Sequence, residues 1–160
     1  MTEDERWMKA AMEEAEKAAA IGEVPIGCVI VRDGSIVGRG YNRRETGKSA
    51  LYHAEISAIA EACRTLGGWR LPETRLYVTL EPCPMCAGAI INARIPHVIY
   101  GAPDPKAGSV ESLVRLFDLP YNHRPDVSSG VMEAECAALL KDFFRALRRS
   151  RKSRPETEFD

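Results

Sequence analysis

The chain has 160 residues, of which 45% are hydrophobic and 28% charged, with 22 basic against 23 acidic side chains. That length suits one domain able to bury a core without disulfide or metal support, and the composition excludes a disordered chain. The near-neutral balance, formally −1, excludes a uniformly basic nucleic-acid binder, and no apolar run of about 18 residues is present to span a membrane.

Thr2 followed by Glu5 predicts a capping box, and Trp7, Met8, Ala11, Ala15, Ala18 and Ala19 repeat at helical spacing. Gly22 is a stop signal, so the first helix is expected over 3–21. Two β-rich runs, Ile26 to Val31 and Ile36 to Tyr41, flank Arg32-Asp33-Gly34-Ser35, and an Asp-Gly pair in that position predicts a hairpin. After a polar loop, a helix is expected over 53–66, with Ile56, Ile59, Ala60 and Cys63 as its apolar stripe. Arg75 to Leu80 reads as a strand, which Pro82 to Pro84 ends before a helix from Met85 to Asn92. His97 to Tyr100 is a further short strand. A loop rich in Pro and Gly, Gly101 to Gly108, leads to a short helix expected near Val110 to Phe117. Arg124 to Val131 is the last expected strand, and Glu133 to about Arg149 the closing helix.

Nothing divides the chain, so residues 1–150 are expected to form a single domain and 151–160 a disordered tail. A hairpin followed by alternating helices and strands predicts an α/β fold, a three-layer α/β/α sandwich around a five-stranded mixed sheet. The five cysteines are an odd number, and the acidic N-terminus is unlike a signal peptide, so a reducing, cytoplasmic setting is expected. Cys28, Cys63 and Cys136 lie among apolar residues and read as core fillers. Acids crowd the first helix. Bases crowd the end: Lys141, Arg145, Arg148, Arg149, Arg151, Lys152 and Arg154.

Two fragments carry chemistry, His53-Ala54-Glu55 and Pro82-Cys83-Pro84-Met85-Cys86. Cysteines three apart on a helix are separated by about 60°, so Cys83 and Cys86 can address one ion. Cys83 falls near the N-cap of a helix that Pro84 opens, where the helix dipole favours a thiolate. His53 and Glu55 are roughly 200° apart on a regular helix, but both belong to an opening turn. One can ligate while the other stays free to move protons. Three protein ligands leave a fourth tetrahedral position for water, the mark of a catalytic zinc site.

Plainer readings stand beside these. A bare Cys-x-x-Cys also serves structural zinc knuckles and redox pairs, and a structural site would need a fourth ligand, for which His97 and His123 are the candidates. Glu55 can be a surface carboxylate and Asn42 a turn cap. The terminal basic cluster can be a solvated helix end, and one of Phe143 and Phe144 is expected in the core.

His-x-Glu followed about thirty residues later by Pro-Cys-x-x-Cys resembles the cytidine deaminase superfamily. Within it the chain is most similar to the bacterial tRNA-specific adenosine deaminases of the TadA type. The resemblance extends through Gly22 to Gly27, Tyr41-Asn42, Tyr77 to Ala89, Asn122-His123-Arg124, Glu135-Cys136-Ala137 and Phe143-Phe144-Arg145. It implies one Zn2+ per subunit on His53, Cys83 and Cys86, with Glu55 as proton shuttle. It also implies conversion of adenosine to inosine at the wobble position of a tRNA anticodon loop. A deaminase of free guanine, cytidine or deoxycytidylate, and an RNA-binding module using zinc only to fold, are the rivals. The same resemblance implies a homodimer with sites near the subunit interface. It places Asn42 on the flipped base or its ribose, and the amides of Ala54 and Cys83, with Glu81, near the reacting amine and water. Asp104, Lys106, Phe144, Arg145 and Arg148 would meet the flanking nucleotides.

Overall fold

The computed structural model describes residues 1–152 of the chain. Helix α1 (Glu3–Ala20) is opened by the capping box: the Thr2 hydroxyl accepts from the Glu5 amide, and the Glu5 carboxylate accepts from the Thr2 amide, both at 3.1 Å. Gly22, at φ 80°, closes it in a Schellman pattern, with Glu23 N–H donating to Ala18 O and Gly22 N–H to Ala19 O. Strands β1 (Gly27–Arg32) and β2 (Ser35–Tyr41) follow as an antiparallel hairpin. Its turn residues Asp33 and Gly34 both have positive φ, 51° and 72°, as a type I′ turn requires.

Helix α2 (Ala54–Leu66), strand β3 (Arg75–Leu80), helix α3 (Pro84–Asn92), strand β4 (His97–Ala102), strand β5 (Asp126–Ser129) and helix α4 (Glu133–Lys152) complete the order. The sheet runs β2-β1-β3-β4-β5, antiparallel up to β3 and parallel from β3 to β5. This is the expected three-layer sandwich. Alternation along β1 builds both cores: Cys28 and Ile30 join Ala54, Ala58, Ala87 and Ile90 under α2 and α3. Val29 and Val31 join Trp7, Met8, Ala11 and Cys136 under α1 and α4.

Four expectations are corrected. The face that α2 buries is Ala54, Glu55, Ala58 and Ala62 rather than the Ile56–Cys63 stripe; Ala60 is exposed and Cys63 only half-buried. The reason is close approach. Gly38 and Gly40 of β2 lack the Cβ that would stand 2.2 Å from Ala58 O and Ala54 O respectively, so the helix lies directly on the strand through its smallest side chains. No helix forms over Val110 to Phe117; only Leu116–Asp118 makes a 3-10 turn, because the Leu113 and Leu116 amides donate to Gly108 O and Ser109 O instead of to carbonyls four residues back, in a segment whose Val110, Glu111 and Ser112 amides are held by the Glu81 carboxylate. Arg151 and Lys152, expected in the tail, continue α4, and the rest of that tail lies outside the described residues. Neither Phe143 nor Phe144 reaches the core. They pack edge to face, 5.4 Å between centroids, and Cys136 is the only fully buried side chain among the described residues of α4.

Candidate active site

Two helix N-termini converge at the end of β3. His53 is the N-cap of α2 and Cys83 the N-cap of α3, both with extended backbone (ψ 154° and 174°) and neither using its side chain as a cap. Extended backbone at each cap swings the side chain off the helix and frees it to ligate. Pro84 at the first helical position fixes the turn that brings Cys86 onto the same side as Cys83.

The His53 Nδ1 atom lies 3.5 Å from Cys83 Sγ and 3.6 Å from Cys86 Sγ. Bond lengths of about 2.3 Å to sulfur and 2.05 Å to nitrogen at a tetrahedral angle give an edge of about 3.6 Å. The three donors therefore fit a single tetrahedral zinc ion. Among the described residues this is the one such group, and His97 and His123 are not part of it. His97 lies 3.5 Å from Asp126, and His123 Nε2 donates to Ile95 O. Among the described residues no fourth His, Cys, Asp or Glu joins the group.

Electrostatics suit the same ion. Without metal, a hydrogen bond from the Cys86 thiol, and then His53, lower the Cys83 thiol to about 4 against the effect of burial. The Cys83 neighbour raises the His53 imidazole, and it raises the Cys86 thiol together with burial. Glu55, 4% exposed, is pushed up to about 7, first by burial and then by the charge of Cys83. A carboxyl near pH 7 beside an open coordination position is matched to taking and returning a proton.

A cavity of about 200 Å³ opens over this centre, lined by Val24, Ile26, Leu80 and Ala107 on its apolar walls and by Asn42, Arg44, His53, Glu55, Glu81, Cys83 and Asp104. Sequence reasoning missed Val24, Ile26, Leu80, Ala107 and Arg44 as lining residues. Asn42, 7% exposed, donates to Val24 O and accepts from Arg44 N–H, which fixes its amide at the cavity edge. It is thus a turn cap and a lining residue together. Ala54 also lines the cavity, and Lys106 is exposed on the adjoining loop. Phe144, Arg145 and Arg148 are exposed on α4 and do not line the cavity.

Two loops form its rims, each tied by a buried carboxylate. Glu23 accepts from Glu45 N–H and from both the amide and hydroxyl of Thr46. Glu81 accepts from four amides and the Ser112 hydroxyl, and these donors hold its pKa below the ordinary value although burial opposes them.

Residues 2–148 match the model of the MafB19-like deaminase family. The chain belongs to that family. The tRNA-specific adenosine deaminase of Bacillus subtilis is 51% identical to the deaminase over 154 residues, 96% of each chain. A solved structure from work on A-to-I editing by tRNA:A34 deaminases at the wobble position is also 51% identical, with a TM-score of 0.82 over 84% of this chain and 99% of that one. A guanine deaminase from Nitrosomonas europaea shares the fold at 23% identity, with a TM-score of 0.72 over 89% of this chain and 85% of that one.

Proposed function

We propose that this chain hydrolyses adenosine to inosine in tRNA, at the wobble position of an anticodon loop, with one zinc ion per subunit. The carrying observation is the convergence of His53, Cys83 and Cys86 donors at tetrahedral spacing, with the buried Glu55 carboxyl two residues from His53 and lining the same cavity. The half-identical relatives that act on tRNA support the substrate.

The reaction adds water across C6 of adenine, releases ammonia and leaves a carbonyl. His53, Cys83 and Cys86 would hold the zinc ion, which when bound would supply Lewis-acid activation of water. Glu55 takes one proton from the attacking water and passes it to the ring nitrogen beside C6; it then takes the second proton, from the new C6 hydroxyl, and delivers it to the departing amine as the carbonyl forms. Val24, Ile26 and Leu80 hold the planar ring against this centre and exclude bulk water. Asn42 keeps one N–H and one lone pair beyond its loop bonds for the base or ribose, and the amides of Ala54 and Cys83 face the reacting amine and water. A base reaches so narrow a cavity only when splayed from its stack, as anticodon loop bases are. Asp104, Lys106, Phe144, Arg145 and Arg148 contact the flanking nucleotides. Arg44 adds a cation at the mouth.

We further propose a cytoplasmic homodimer. The exposed side chains of Leu113, Val114, Leu119 and Tyr121 offer an apolar surface that a second copy would cover.

The test is to incubate purified protein with tRNA and, separately, with free bases, and to sequence the tRNA for inosine at the wobble base. Inosine there is expected; ammonia from guanine with unchanged tRNA refutes the substrate. Glu55→Ala should keep its zinc and its fold and lose at least about 10²-fold in rate. Full activity in that variant removes the proton-shuttle assignment.

A further inference from the structure

Glu81 directly follows β3, two residues before Cys83, is 2% exposed, and lines the cavity. Among the described residues, every hydrogen bond to its carboxylate comes from one loop. Asp104 N–H and the Ser112 hydroxyl donate to Oε1; the amides of Val110, Glu111 and Ser112 donate to Oε2 at 3.1, 2.8 and 2.9 Å. The next residue joins in, since Ser109 N–H donates to Pro82 O at 2.9 Å. Gly108 lies against the carboxylate so closely that a Cβ there would stand 2.4 Å from Glu81 Cδ. With five donors on two oxygens, the acceptor capacity of Glu81 is committed to the loop, and little remains for a reacting water or amine.

We infer that Glu81 is a positioning residue: it locks segment 104–112 in register with Cys83 and so sets the distance between the RNA-contacting rim and the reacting carbon. The inference rests on the proposed reading that this rim, through Asp104 and Lys106, meets RNA. A carboxylate suits the task because it has only acceptors and can gather a run of amides that no local carbonyl satisfies. Glutamine would replace one acceptor oxygen by a donor and turn it toward amide hydrogens.

The experiment uses zinc-loaded Glu81→Gln, Gly108→Ala, Ser112→Ala and the double variant E81Q/G108A. Amide hydrogen exchange, zinc content, and kcat and KM for tRNA are measured on each. For Glu81→Gln the expected result is unchanged zinc, exchange at Asp104, Val110, Glu111 and Ser112 at least about ten-fold faster, and KM at least about ten-fold higher, with kcat within about three-fold. Gly108→Ala should match it, and the double variant should be no worse than either single, since both release one loop. Ser112→Ala, which keeps four of the five donors, should raise KM about two-fold; it carries the test if Glu81→Gln fails to fold. Unchanged exchange or unchanged KM overturns the inference, and so does a fall in kcat at constant KM, which would give Glu81 a part in the chemistry. Exchange is read without substrate, so a wild-type protein that makes no inosine would sink the functional reading while loop anchoring is still decided.

Discussion

Replacing Gly40 by alanine perturbs the site from outside it. Gly40 is not among the residues with positive φ, so alanine fits its backbone and any effect comes from the added methyl. That Cβ would stand 2.2 Å from Ala54 O, 2.8 Å from Ala58 N and 2.9 Å from Ser57 Cβ. The first and second are backbone atoms of α2 and cannot rotate away. Ordinary contact starts near 3.4 Å, so α2 must withdraw from β2 by about 1.2 Å. Overpacking of this kind costs about 1–3 kcal/mol, and each kcal/mol lowers Tm by about 2–4 °C at this chain length. The shift also moves His53 and Glu55, carried at the start of α2, away from Cys83 and Cys86 on α3. A displacement near 1 Å at reacting groups costs about 10²-fold in rate. Thermal unfolding, zinc content and inosine formation should all fall together in Gly40→Ala. Gly34→Ala is the control: at φ 72° with nothing within 4 Å, it should lose about 1 kcal/mol to backbone strain and keep its activity. A Gly40→Ala protein with wild-type Tm and rate would refute the close-packing argument.

Arg148→Ala should weaken tRNA binding and reduce the slope of log K against log salt by about 0.7–1, with metal content unchanged; an identical slope removes Arg148 from the phosphate footprint. Glu23→Gln should destabilise the protein by about 1–3 kcal/mol near pH 7, since donors from Thr46 and Glu45 lose their charged acceptor. Burial raises the Glu23 pKa, but those donors outweigh it and hold it below 4.5. Its contribution is therefore complete above pH 4.5 and lost as pH falls through the lowered value. Urea unfolding of both proteins at several pH values should show the gap closing only in acid. After zinc is chelated, Cys83, at about 4, should alkylate with iodoacetamide at a rate nearly flat from pH 5 to 8, while Cys86 reacts slowly. A Cys83 rate climbing ten-fold per pH unit across that range would contradict the thiolate.

Much of the fold was legible because its signals are local. The Thr2–Glu5 box, the Asp33-Gly34 turn and the β-rich run of β1 each encode their geometry within a few residues. The His53, Cys83 and Cys86 group was legible for a similar reason, since the spacing of Cys83 and Cys86 on one helix turn is itself geometry. What failed were choices made by distant partners. The stripe on α2 is a sound helical period, but Gly38 and Gly40 admit only the alanine face, and nothing in residues 54–66 reports on them. The sequence of 110–117 permits a helix, but in the loop tied to Glu81, about thirty residues earlier, the Leu113 and Leu116 amides turn to Gly108 O and Ser109 O instead of to carbonyls four residues back.

Apart from the helix expected over 110–117, sequence alone determined the elements, their order and the identity of the donors, because caps, turns, periodicity and ligand chemistry act over short stretches of chain. Tertiary structure decided which faces are buried, how the 3.5 Å approach of His53 to Cys83 is achieved across thirty residues, and which loops rim the cavity. Those depend on how closely separate elements can pack and on which buried charge meets which amide, and such pairings exist only once the chain has closed on itself.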